Sequence, residues 1–156
     1  MEDFAPVTKP VEPCQNPVRR FTVNDIPWVL SLASERYRPF DPGRTLTWLV
    51  GVVQLSTALC LRTDNSFLIA NILTPAWHPK EPEAHILFLC AAAGKHWESL
   101  RLLRESVKWA REKGCLRWWF CSETEHAVDA LARRVGAEPT FMRYRLDLTK
   151  AEPDGQ

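Results

Sequence analysis

Glu83 and His85, two positions apart in "EAHILFLCAA", have the residue types and the spacing for proton transfer. Side chains of a strand alternate between its faces, so a carboxylate and an imidazole at i and i+2 lie side by side. Such a pair can accept a proton from an amine or a hydroxyl. A solvated strand start accounts for the same two residues without any chemistry.

The second place where residue types suggest chemistry is "AAAGKHWES", from Ala91 to Ser99. A short loop running from a strand into a long helix gathers backbone N–H groups at the positive end of the helix dipole, a setting that suits phosphate. Ala91 to Gly94 offer an anion close approach to the backbone, and Lys95 and His96 add positive charge. Glu98 opposes them.

The remaining reactive side chains form no comparable pattern. His126 and Asp129 share a helix face at i, i+3 without a nucleophile at useful spacing, and with His78, His85 and His96 they make no metal-ligand motif. The five cysteines (Cys14, Cys60, Cys90, Cys115 and Cys121) are odd in number and lack CxxC spacing. Four lie in or beside apolar runs, as small buried hydrophobes do, and a reduced, cytoplasmic setting is expected. Cys121 closes "LRWWFC" and is either a buried inert thiol or a reactive one.

Elements to position these residues follow from periodicity. "VRRFTVNDIPWVLSLASERY" predicts a short strand and a helix, with Asn24 as N-cap and Pro27 in the first turn. "DPGRTLTWLVGVVQL" predicts a second helix opened by Asp41 and Pro42. "ALCLRTDNSFLIANILT" predicts a hairpin about Asp64-Asn65. The run "EAHILFLCAA" is apolar on both faces and therefore central in its sheet. The long helix that follows has Leu100, Leu103, Val107 and Ala110 on one face and ends at Gly114. "LRWWFC" is a further strand, "ETEHAVDALARRVG" a last helix ending at Gly136, and "TFMRYRLDL" a final strand. Trp109, Trp118 and Trp119 are expected between sheet and helix, Trp77 and Trp97 at the surface.

The 156 residues suit one domain, and 46% hydrophobic with 25% charged residues is ordinary for a globular chain. A formal charge of +1 argues against general affinity for nucleic acid or anionic membrane. No apolar run reaches the roughly 20 residues of a membrane span, and the N-terminus lacks the basic-then-apolar pattern of a signal peptide. The expected organisation is a proline-rich arm over 1–16, a domain over 17–148 and a polar tail over 149–156. Its fold class is α/β, a mixed central sheet flanked by about four helices.

"VRRFTVNDIPWVLSL", "WAREKGCLRWWF" and "ALARRVGAEP", in that order and spacing, resemble the GNAT (Gcn5-related N-acetyltransferase) superfamily over about residues 17–148. The resemblance implies a GNAT-like sheet and transfer of an acetyl group from acetyl-CoA to an amine. It also implies a cofactor site at the end of the fourth strand (Leu89, Cys90) and in the loop beyond it (Gly94, Lys95, His96, Trp97, Ser99), with Cys121 near the pantetheine arm. The family motif R/Q-x-x-G-x-G/A falls on Gly94 to Ser99, which places Trp97 and Ser99 at its glycines. The family's general-acid Tyr falls on Ala132 and its Asn on Glu125. Ala cannot donate a proton, which leaves Glu83 and His85 as candidate bases. A subgroup of phage-encoded GNAT-like virion and assembly proteins is similar in lacking the glycine loop and the Tyr. That likeness implies a non-catalytic alternative, with protein partners bound through the arm and the exposed tryptophans.

Overall fold

The computed structural model describes residues 17–120 and 125–138, the side chains of 125–129 excepted. The arm over 1–16, Cys121, the expected final strand and the tail lie outside the described residues, as do the side chains of Glu125, His126 and Asp129. The elements are β1 (Arg19–Arg20), α1 (Ile26–Arg36), α2 (Pro42–Val53), β2 (Ala58–Arg62), β3 (Ser66–Leu73), β4 (Glu83–Ala91), α3 (His96–Glu112), β5 (Arg117–Phe120) and α4 (Glu125–Arg134). The strands form one sheet in the order β1-β2-β3-β4-β5, antiparallel except for the parallel pair β4–β5. The α/β mixed sheet and the hairpin about Asp64-Asn65 are as expected.

Helices cover both faces. α1 and α2 enclose Phe21, Ile26, Val29, Leu32, Leu49, Cys60, Phe67, Ile69 and Cys90. On the other side, α3 encloses Leu59, Leu61, Leu68, Ala70, Ala84, Ile86, Leu102, Leu103 and Trp109. The sequence patterning shows why: β2, β3 and β4 carry apolar residues at both parities, so neither face can stay wet. Trp118 packs on the α3 side as expected. Trp119 does not, since its strand neighbour takes that face and alternation sends it to the other.

One irregularity matters for the site. β3 pairs with β4 from Ser66↔Ala91 to Ile69↔Phe88, then resumes at Ala70↔Ile86. Leu87 is therefore an extra residue, a bulge that reverses the alternation of β4. Before it, Ala84 and Ile86 face α3, so Glu83 and His85 face the α1–α2 side; after it, Phe88 and Cys90 face that same side. β5 pairs only with Glu83 to Ile86. Beyond Ile86, among the described residues, the outer edge of β4 has no strand beside it.

At the entry to α1 the cap is Asp25 rather than Asn24. Asp25 accepts hydrogen bonds from Arg19 (2.8 Å), Arg62 (2.9 Å) and the Thr22 N–H (2.9 Å), and the Arg62 guanidinium lies 3.6 Å over the Trp28 ring. The Arg19 hydrogen bond, outweighing burial, holds the Asp25 carboxyl well below its ordinary value of 3.8. A group depressed on folding adds stability above its unfolded value and loses it as pH falls through the folded one. Melting curves of the wild type and Asp25→Asn should therefore be well separated at pH 7 and converge as the pH falls below about 4. A gap that stays constant with pH would show that the carboxylate charge contributes nothing.

Candidate functional site

The parallel register sets Arg117 opposite Glu83 and Trp119 opposite His85. Glu83 is accordingly no solvated strand start: its side chain is only 11% exposed. It accepts hydrogen bonds from Arg117 Nη1 (2.7 Å) and Trp119 Nε1 (3.0 Å), and its Oε2 lies 3.3 Å from His85 Nε2. Glu81 shares Arg117 at 3.2 Å. The Arg117 hydrogen bond, with burial opposing and Trp119 and His85 assisting, holds the Glu83 carboxyl below the usual carboxylate range. An ionised carboxylate only accepts, so Nε2 of His85 carries the hydrogen, and in the neutral imidazole the lone pair is then on Nδ1. Acidified Glu83 is a poor base; His85, oriented by Glu83, is the better one. The imidazole stacks on Trp119 at 6.2 Å. Asn71 is in register with His85 on the neighbouring strand, and its Oδ1 is buried without a hydrogen-bond partner.

The second cluster lies past the C-terminal end of β4. Gly94 adopts φ +72°, with no atom within 4 Å of where a side chain would begin. Gly94, Lys95, His96 and Trp97 are all exposed at the start of α3. Glu98 does not oppose an anion there, contrary to expectation. It is buried, and its carboxylate accepts from Thr63 Oγ1, the Asn65 N–H (3.3 Å) and Asn65 Nδ2 (2.9 Å). Burial works against its ionisation, but the bonds from Thr63 and Asn65 prevail and lower its pKa. The Ala92 N–H donates to Asn65 O at 2.7 Å, so the β2–β3 turn ties down both ends of the loop. The Trp97 ring is 57% exposed and lies against His96 (5.5 Å) and beneath the Arg134 guanidinium (4.9 Å).

The other residues that the family resemblance implied are placed differently. Ser99 is buried in the first turn of α3. The Leu89 side chain packs toward α3, and its carbonyl accepts from Tyr37 Oη at 2.9 Å. The Cys90 thiol is buried in the α1–α2 core, 3.8 Å from Leu32 O, and burial pushes its pKa up to about 11. A thiol so placed is inert. The structure thus brings Glu83 and His85 together, groups Gly94 to Trp97 on one exposed loop, and turns Leu89, Cys90 and Ser99 inward.

Sequence reasoning missed Tyr37, Trp48 and Phe88. Tyr37 follows α1 and meets the Phe88 ring at 5.1 Å; Trp48 of α2 meets it at 5.6 Å. Nothing local in the sequence marks them, because the bulge at Leu87 is what turns Phe88 toward them. Between the two clusters runs the part of β4 that no described strand covers on its outer side, and Leu87 to Ala92 spans about 17 Å at strand rise. Among the described residues no group of three or more His, Cys, Asp and Glu is placed to hold a metal ion, and no helix is long and apolar enough to cross a membrane.

No family model matches the sequence, and no curated protein does. Solved structures do match the fold. The chain is similar to the aminoglycoside N-acetyltransferase AAC(6')-Iy in complex with CoA, at 14% identity and TM-score 0.70, over 84% of this chain and 94% of that one. It is equally similar to the aminoglycoside 6'-N-acetyltransferase AAC(6')-Ih of Acinetobacter baumannii (13%, TM-score 0.70, 85% and 97%). A transcriptional regulator from Bacillus halodurans C-125 matches as well (11%, TM-score 0.71, 85% and 99%). The fold is that of the GNAT acetyltransferases. That a regulator shares it shows why activity must be argued from the site.

Proposed function

We propose that this GNAT-fold chain transfers an acetyl group from acetyl-CoA to an amine. The observation that carries the reading is the edge of β4, uncovered by any described strand beyond Ile86, which joins an exposed loop at one end to a His–Glu pair at the other. Gly94, Lys95 and His96 hold the phosphates: the loop is free of carboxylate now that Glu98 points inward, and Gly94 leaves the backbone bare. Beyond Ile86 no described strand pairs with this edge, which suits an extended arm, as in β-strand addition. Acetyl-CoA supplies an activated acyl group. The chain's part is to hold that group still and to receive the amine proton at Nδ1 of His85, while Glu83 keeps the imidazole in the required tautomer. As the C–N bond forms the thioester C–S bond breaks, and CoA would leave as a thiolate that solvent protonates, Ala132 having no proton to give.

Thermal unfolding with acetyl-CoA tests this. At about 100 times its dissociation constant the ligand should add roughly 2.7 kcal/mol of stability. Lys95→Glu, at an exposed position, should weaken binding at least about tenfold while leaving the unliganded melting temperature unchanged. No shift at millimolar acetyl-CoA sinks the proposal.

Trp97 at 57% and Trp77 at 79% exposure favour a second reading. Exposed aromatics suit protein contacts. In this reading the chain is a non-catalytic protein of the same fold, such as a phage virion or assembly component, that docks partners through these rings and the arm over 1–16. Acetyl-CoA would then leave the melting temperature unmoved, and Trp77→Ala would weaken partner binding.

A further inference from the structure

Taking a proton at Nδ1 of His85 requires the imidazole to present that nitrogen and no other, and the bond to Glu83 does not secure this alone. At 3.3 Å it is long for a hydrogen bond, and a histidine ring turns about its outer torsion between two broad settings half a turn apart. The Glu83 carboxylate also rotates unless both of its oxygens are held. Arg117 Nη1 holds Oε1 at 2.7 Å, and Glu81 steadies the same guanidinium at 3.2 Å.

Trp119 supplies what is missing on both counts. Its Nε1–H donates at 3.0 Å to Oε2, the oxygen that meets His85. Its ring stacks on the imidazole at 6.2 Å, with 26° between the planes. Stacking admits only the two ring settings that lie in that plane, and the Glu83 bond selects the one with Nε2 toward the carboxylate. Neither contact fixes the ring without the other. Among the described residues, Trp119 alone makes both a hydrogen bond to Glu83 and a ring contact with His85. Its neighbour Trp118 packs on the α3 side and bonds Ser106 Oγ at 3.1 Å, so the two tryptophans of β5 are not interchangeable.

We propose that Trp119 is a positioning residue: its N–H aims the Glu83 carboxylate at His85, and its ring confines the imidazole to the setting in which Nδ1 is left open to the amine. The use of this device rests on the acetyl-transfer reading, but the ring setting can be observed without acetyl-CoA. Nitrogen NMR of the full chain with isotope-labelled histidine, at about pH 9 and so above the ordinary imidazole range, reports which ring nitrogen carries the hydrogen. His85 is assigned by the signals that His85→Gln removes. In the wild type the hydrogen should sit on Nε2 alone. Trp119→Leu removes the ring and the N–H, and its His85 nitrogen shifts should average between the two tautomers. Its kcat should fall about 100-fold, the scale of a catalytic group displaced by about 1 Å. Trp119→Phe keeps a ring without the N–H and should show part of that averaging, with a loss of about tenfold. KM for acetyl-CoA should stay within about twofold in both, because the Gly94 loop lies at the far end of β4.

Wild-type nitrogen shifts in Trp119→Leu overturn the inference even where kcat falls, since a merely structural residue would lower the rate and leave the tautomer alone. Should Trp119→Leu fail to fold, wild-type shifts and rate in Trp119→Phe overturn it equally. If acetyl-CoA gives no turnover while the nitrogen shifts respond, Trp119 stands as the residue that sets the pair and the transferase reading falls. Turnover with unresponsive shifts removes Trp119 alone.

Discussion

His85→Gln should lower kcat for acetyl transfer by roughly 100- to 10,000-fold, the usual range for losing a positioned general base. KM for acetyl-CoA should stay within about twofold, because His85 and the Gly94 loop lie at opposite ends of β4. The side chain is half-buried at the surface of the sheet, and Gln is close to it in size, so folding should survive. Glu83 cannot take over as the base, since Arg117 holds its carboxyl low and keeps it ionised. A variant that keeps the wild-type rate would remove His85 from the chemistry.

Glu83 and His85 could be paired from the sequence because strand alternation is a local rule. What they pair with could not. Arg117 and Trp119 lie more than thirty residues on, and only the parallel register of β5 brings them across. The same limit explains Trp119. "LRWWF" is apolar at both parities, so the sequence offers two faces for two tryptophans without saying that one of them meets an imidazole. Helix ends were legible where the chemistry is local: Asp41 caps α2, and Gly114 at φ +74° and Gly136 at φ +81° stand just past α3 and α4. The bulge at Leu87 had no such mark. It falls just past the last residue paired with β5, and it decides that Phe88 and Cys90 turn toward α1 and α2 while Leu89 turns away. The family motif put Ser99 at the end of the loop, whereas in space it is already inside the helix. A linear motif carries no account of where a side chain points one turn later.

Glu98→Ala should cost about 2–4 kcal/mol, measured by urea unfolding as a lower midpoint at unchanged slope. The carboxylate is buried and accepts from Thr63 Oγ1 and from both the backbone and the side chain of Asn65. Removing it strands those donors inside the β2–β3 turn, at about 1–3 kcal/mol for each one left unpaired. The sum is not reached, because Thr63 Oγ1 has Ser66 Oγ at 2.8 Å to fall back on. A negative charge in the first turn of α3 adds a few tenths of a kcal/mol through the helix dipole, and that too is lost. Glu98→Gln keeps one acceptor but sets an amide N–H₂ against donors, so it should recover no more than about half. Pairing Glu98→Ala with Asn65→Ala should give a coupling energy of about 1 kcal/mol or more; additive effects would mean that the contact does not hold the turn. The consequence for function follows from the Ala92 N–H, which donates to the carbonyl of the same Asn65. Glu98 and Ala92 grip one turn from both sides of the Gly94 loop. Loosening that grip should therefore reduce stability and acetyl-CoA affinity together, whereas Lys95→Glu reduces affinity alone.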